Sequence, residues 1–135
     1  MENNKKLITI VLGTRPEAIK LAPVIKIFKN CEKFKTRVVI TGQHKEMVHQ
    51  VLRIFDIEPQ KDLNIMQHKQ SLTQITCLIL EGLKKDFKEI KPSLVIVQGD
   101  TSTAFAAALG AFYEQIPVGH VEAGLRTNQL KDPFL

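Results

Sequence analysis

The sequence predicts an α/β domain built on a doubly wound parallel sheet. Short apolar runs rich in β-branched residues recur at residues 7–12, 37–41, 94–98 and 117–121. Segments whose apolar residues repeat at helical spacing lie between them. The runs lack clean alternation, which is the pattern of strands covered on both faces. Strands alternating with helices give right-handed βαβ units, and these build a parallel sheet.

The first strand, LITIVL, hands over to a helix through Gly13-Thr14-Arg15-Pro16-Glu17. Pro16 suits the first helical turn, where a missing N–H costs nothing. Leu21, Val24, Ile25 and Phe28 then follow the i, i+3, i+4, i+7 spacing, with Pro23 predicted to kink or distort the helix. After the second strand, Met47, Val48, Val51, Leu52 and Phe55 form another stripe. Residues 56–70, DIEPQKDLNIMQHKQ, are too long and polar for a simple connection and predict a functional or mobile loop. Ser71 with Gln74 three residues on is a capping-box signature. It opens the longest stripe: Leu72, Ile75, Ile79, Leu83, Phe87 and Ile90. The third strand precedes Phe105, Ala108, Leu109 and Phe112, and residues 117–121 give the last strand. The ending GLRTNQLKDPFL supplies no closing element, so a larger protein carrying this domain is expected.

A chain of 135 residues is the size of one domain and buries about two-thirds of its unfolded surface. The net charge of +5 comes from lysines scattered among acidic residues, which reads as solvated helix faces rather than a nucleic-acid footprint. No aromatic platform or nucleic-acid motif accompanies it. Cys31 and Cys77 have no metal-ligand spacing and read as reduced thiols of a cytosolic protein. The opening MENNKKLITIVLG imitates a signal peptide, but its apolar stretch is too short for that or for a membrane span. A cytoplasmic protein is expected.

In an open parallel sheet, ligands bind where strands end and helices begin. Four such ends carry charged or strongly hydrogen-bonding side chains: GTRPE (13–17), TGQH (41–44), QGDT (98–101) and HVEAGLRT (120–127). Gly13 permits a tight turn, and Arg15 either forks onto a phosphate or pairs with Glu17 or a neighbouring loop. Lys20, one turn on, reaches the same space or is solvated. Asp100 reads equally as a helix N-cap and as a functional carboxylate. Glu122 follows an apolar run, where a carboxylate needs a partner; His120 and Arg126 are the nearest in sequence. Paired carboxylates at neighbouring strand ends can divide proton transfer between them. His44 and His120 read first as hydrogen-bonded structural residues. No serine or cysteine nucleophile sits on a strand-to-helix elbow, and no cluster has metal-ligand spacing. Neither G-x-x-x-x-G-K-[ST] nor G-x-G-x-x-G is present, so phosphate binding would lean on Arg15, Lys20 and helix dipoles.

Taken together, GTRPEAIKLAPVI, TGQH, VQGDTSTAFAAALGAFY and IPVGHVEAGLRT resemble the non-hydrolysing UDP-N-acetylglucosamine 2-epimerases, in order and across essentially the whole chain. The resemblance implies a Rossmann-like N-terminal half of a GT-B-like two-domain arrangement, with residues 1–135 matching only that half. It implies inversion at C2 of UDP-GlcNAc to UDP-ManNAc, by elimination and re-addition of UDP, without a cofactor. By the same resemblance Asp100 and Glu122 are catalytic, and Arg15 and Lys20 face the diphosphate. Gly13 and Arg126 belong to the substrate site. The resemblance further implies a homodimer in the full-length protein, work in cell-surface polysaccharide synthesis, and no nucleic-acid or membrane partner. Gln43 matches one glutamine of a site where many relatives bind a second UDP-GlcNAc as activator. Glu46 and Lys69 stand where that site's second glutamine and arginine would be. The hydrolysing epimerases and a non-catalytic nucleotide- or partner-binding module are the rival readings.

Overall fold

The computed structural model of the chain describes residues 4–122, 124 and 127–132. Five strands and four helices alternate: β1 (Lys6–Leu12), α1 (Arg15–Lys29), β2 (Phe34–Ile40), α2 (Lys45–Ile54), β3 (Lys61–Asp62), α3 (Leu72–Ile90), β4 (Leu94–Gln98), α4 (Ser102–Tyr113) and β5 (Val118–Val121). All pairings are parallel, in the order β3-β2-β1-β4-β5. The chain winds outward from β1 in one direction to β3. It then crosses back to β4 and continues to β5. The reversal leaves a crevice above the carboxyl ends of β1 and β4, where this topology binds ligands.

The predicted fold class is therefore the observed one. The two faces of the sheet have separate cores. Ile8, Ile10, Leu12, Val38 and Ile40 pack against Leu21, Ile25 and Leu52 of α1 and α2. Val11, Val39, Val95 and Val97 pack against Ile79, Leu83, Phe87 and Ala107 of α3 and α4. Alternate residues of one strand thus serve opposite layers, which is why the strands read as unbroken apolar runs.

Several expectations change. β2 begins at Phe34 rather than at residue 37, because β1 offers pairing partners over its full length, from Lys6↔Phe34 to Leu12↔Ile40. Its first half stays partly exposed and so carries polar side chains. The polar stretch 56–70 holds a two-residue edge strand, β3, paired with Val39 and Ile40, and Ile57 and Ile65 anchor it to the two cores. α1 runs from Arg15 to Lys29 with Pro23 inside it. The ring stands at an exposed position, and its missing N–H removes one hydrogen bond from the helix. β5 starts at Val118 and is half exposed, as an edge strand is. The capping box at Ser71 and Gln74 is present. The Gln74 N–H donates to Ser71 Oγ at 3.2 Å, and the Ser71 N–H donates to Gln74 Oε1 at 2.8 Å.

Candidate functional site

A cleft of about 920 Å³ opens over the carboxyl ends of β1, β4 and β5. Lys20, Gln98, Asp100, His120 and Glu122 all line it, with Glu17 and Thr101 in the wall. Three of the four strand-end segments singled out in the sequence therefore converge. TGQH does not reach the cleft. It lies behind it, where Gln43 Oε1 accepts from the Thr103 hydroxyl at 3.0 Å.

The β1–α1 turn is held by a side chain that the sequence reading treated only as a partner for Arg15. Glu17 is fully buried. Its Oε2 accepts from the Gly13 N–H at 3.0 Å, the Thr14 N–H at 2.6 Å and the Thr14 hydroxyl at 2.8 Å. Its Oε1 accepts from the Thr101 hydroxyl at 2.6 Å. The spacing Thr14-x-x-Glu17 is itself a capping-box signature and was the signal available. Because the carboxylate turns inward, no Arg15–Glu17 bridge forms. Arg15 stands exposed at the first residue of α1 and makes no ion pair among the described residues. The turn must also be tight: a Cβ on Gly13 would collide with the hydroxyls of Thr41 and Thr103.

The β4–α4 turn places Asp100 at an exposed position on the cleft. The N-cap of α4 is Thr101, whose Oγ1 accepts from the Ala104 N–H at 3.0 Å, so Asp100 is not the cap. Gly99 takes a φ of +72°, which favours glycine in this turn.

Glu122 lies just past β5, whose last residue Val121 is in register with Gln98. Its φ of +57° is uncommon for a residue with a side chain and turns it out of the strand. His120, two residues away, does not become its partner. His120 Nε2 lies 2.7 Å from the Gly99 carbonyl oxygen instead, and Arg126 lies outside the described residues. Lys20 Nζ donates to Glu122 Oε1 at 2.7 Å, and buried Gln98 donates through Nε2 to Oε2 at 2.6 Å. The Lys20 hydrogen bond, its charge and the Gln98 amide hold the carboxyl below its ordinary range, with partial desolvation acting against them. Besides buried Glu17, the cleft thus combines Lys20 of α1 with two carboxylates and an amide donor from the ends of β4 and β5. That set can bind an anion, hold a carboxylate ionised and move a proton. Among the described residues no group of His, Cys, Asp or Glu side chains could hold a metal ion. No helix among them is long and apolar enough to cross a membrane.

A family model described as UDP-N-acetylglucosamine 2-epimerase matches residues 26–135. UDP-N-acetylglucosamine 2-epimerase of Escherichia coli (strain K12) is 56% identical over 92% of this chain and 33% of its own length. The protein of that name from Yersinia pestis is 55% identical over the same shares. A crystal structure of UDP-GlcNAc 2-epimerase from Neisseria meningitidis bound to UDP-GlcNAc superposes with a TM-score of 0.89 at 52% identity, over 95% of this chain and 34% of that one. A glycotransferase of kitacinnamycin, 12% identical with a TM-score of 0.64 over 88% of this chain and 30% of its own, shares the fold alone. The chain spans about a third of the length of the curated relatives it matches.

Proposed function

The chain belongs to the UDP-N-acetylglucosamine 2-epimerase family, and on that premise we propose that it is the N-terminal Rossmann-like domain of an enzyme interconverting UDP-GlcNAc and UDP-ManNAc. The observation that carries the reading is the meeting of Lys20, Gln98, Asp100 and Glu122 in one cleft at the switch point of the sheet. The chemistry is non-hydrolysing. A carboxylate removes the proton at C2, the C1–oxygen bond breaks with its electron pair leaving on UDP, and a glycal forms between C1 and C2. A proton then returns to C2 from the other face as UDP re-adds at C1. Electrons balance without a redox cofactor.

Asp100 and Glu122 are the proton-transfer pair in this reading. Arg15 and Lys20 meet the diphosphate, one as a planar fork and one as a point charge. Gly13 keeps the turn close to the ligand, Arg126 completes the substrate site and Gln43 serves a separate regulatory subsite. The second half of the nucleotide site comes from a C-terminal domain, supported by the share of its relatives that the chain spans. The enzyme works in the cytoplasm, as a homodimer, in polysaccharide synthesis, without nucleic-acid or membrane partners. The apolar face of α4, with Phe105, Phe112 and Tyr113 more than 60% exposed, supports the dimer.

The test is turnover of UDP-GlcNAc in D2O by a protein carrying this domain and its C-terminal half. UDP-ManNAc with deuterium at C2 is expected, and the isolated 135-residue chain shows little or none of it. Asp100→Asn and Glu122→Gln each lower kcat by about 10²–10⁴-fold. Free ManNAc as the sole sugar product would mean the hydrolysing reaction. Undiminished turnover in both amide variants would remove the two carboxylates from the chemistry.

A further inference from the structure

Glu17 is the fully buried charged side chain of the cleft wall, and the proposed chemistry does not use it. A carboxylate removed from water needs compensation, and charged partners are the usual means. Among the described residues no cation pairs with Glu17. Four neutral donors hold it, three from the β1–α1 turn and one, the Thr101 hydroxyl, from the β4–α4 turn.

Local capping accounts for only part of this arrangement. A capping box needs the reach back to the Thr14 N–H, which Oε2 supplies. Nothing in it requires the second oxygen to cross to another strand end, yet Oε1 accepts from Thr101 across 84 residues of sequence. Thr101 is then fixed from two sides, because the oxygen that donates to Glu17 also accepts from the Ala104 N–H. Asp100 is its immediate neighbour. The turn carrying Arg15, with Lys20 one turn beyond it, is thereby tied to the turn carrying Asp100 by a single side chain.

A second consequence concerns anions. The N–H groups of Gly13 and Thr14 face a helix N-terminus, where a bound phosphate would ordinarily be expected. Glu17 occupies both. These two amides are closed to an incoming diphosphate.

We infer that Glu17 is a positioning residue: an internal carboxylate anchor that sets Asp100 against the α1 turn through the Thr101 hydroxyl. The inference rests on Asp100 acting in proton transfer. Glu17 touches no substrate atom in this role. Its effect is on the placement of Asp100, where displacements of about 1 Å cost as much as 100-fold in rate.

The experiment is steady-state epimerase kinetics on the two-domain protein, with thermal stability measured alongside. Thr101→Val removes the hydroxyl and keeps the shape. It is expected to lower kcat by about 10-fold or more with KM for UDP-GlcNAc within about twofold. Thr101→Ser restores the hydroxyl and is expected to recover most of kcat. Glu17→Gln combined with Thr101→Val is expected to be no slower than the worse single variant, because both cut one link. Ser71→Ala removes the equivalent cap from α3, so it lowers stability and leaves kcat unchanged. Thr101→Ala gives the same reading if the valine variant does not fold.

The anchor is overturned if Thr101→Val keeps kcat within twofold while Asp100→Asn is inactive. It is equally overturned if KM alone changes, or if kcat in Thr101→Val and Ser71→Ala falls in step with stability. Undiminished turnover in Asp100→Asn, or a wild-type protein without epimerase turnover, would overturn the role of Asp100 and the anchor with it.

Discussion

Lys20 and Glu122, 102 residues apart in sequence, meet across the cleft with the ammonium 2.7 Å from one carboxylate oxygen and 2.6 Å from the other. The pair lowers the Glu122 pKa from its ordinary 4.5, chiefly through the Lys20 hydrogen bond. A carboxyl whose pKa is lower in the folded state adds stability that is complete above the unfolded value. That stability is lost as pH falls through the folded one. Wild type is therefore expected to lose stability relative to Lys20→Met as pH drops below 4.5, and the two are expected to run parallel above it. Thermal melts across that window check the sign. A carboxyl ¹³C titration checks the cause: in Lys20→Met the Glu122 pKa rises toward 4.5. Lys20 is half exposed, so added salt shrinks the difference.

Arg15 offers the opposite case, a cation without an ion-pair partner among the described residues. Since it is exposed and unpaired among the described residues, Arg15→Ala is expected to leave stability within about 0.5 kcal/mol. In the proposed two-domain enzyme the same change is expected to lower kcat/KM by at least about tenfold, with Arg15→Lys recovering only part. A lysine keeps the charge and loses the two-pronged geometry suited to a diphosphate. Denaturation and kinetics on the same preparations separate the two effects.

What could be read in the sequence follows from what was local. The strands show as apolar runs because two cores claim their alternate residues, and the α3 cap shows because Ser71 and Gln74 lie within one turn. β3 stayed hidden: two polar residues, Lys61 and Asp62, form a strand only because β2 offers an edge. The cleft was legible in three of the four polar strand ends, and its wiring was not. Lys20 finds Glu122 and Thr101 finds Glu17 only once the sheet order sets β1 beside β4 and β4 beside β5. His120 is two residues from Glu122 and still does not pair with it. The left-handed backbone at Glu122 sends the two side chains apart.

Gly13 sits where two hydroxyl-bearing side chains converge. Thr41 and Thr103 bring their oxygens within 3.0 Å of each other, and the Thr103 hydroxyl donates to Gln43. A methyl group at Gly13 would occupy the space of both hydroxyls and come within 3.2 Å of Thr103 Cβ. Gly13→Ala is expected to destabilise the domain by about 1–3 kcal/mol through overpacking. Urea denaturation measures it. Thr103→Ala in the same background is expected to recover part of the loss, since one obstruction is then gone.

Far from the cleft, Arg37 of β2 and Asp86 of α3 form a two-pronged pair, both hydrogen bonds 2.6 Å long. Their side chains are only 12% and 4% exposed. Burying two charges costs several kcal/mol per ion, and their attraction offsets this only while both are present. Removing one partner leaves the other without its counter-charge in a place water barely reaches. Arg37→Met and Asp86→Leu are therefore each expected to cost about 3–5 kcal/mol. The double variant replaces the pair with apolar volume and is expected to lie near wild type, a strongly non-additive cycle. Urea denaturation of the four proteins measures the coupling. Additive losses would show that each side chain acts through its own packing rather than through the pair. In the proposed two-domain enzyme the double variant is expected to keep wild-type kcat, because the pair supports the sheet from outside the cleft.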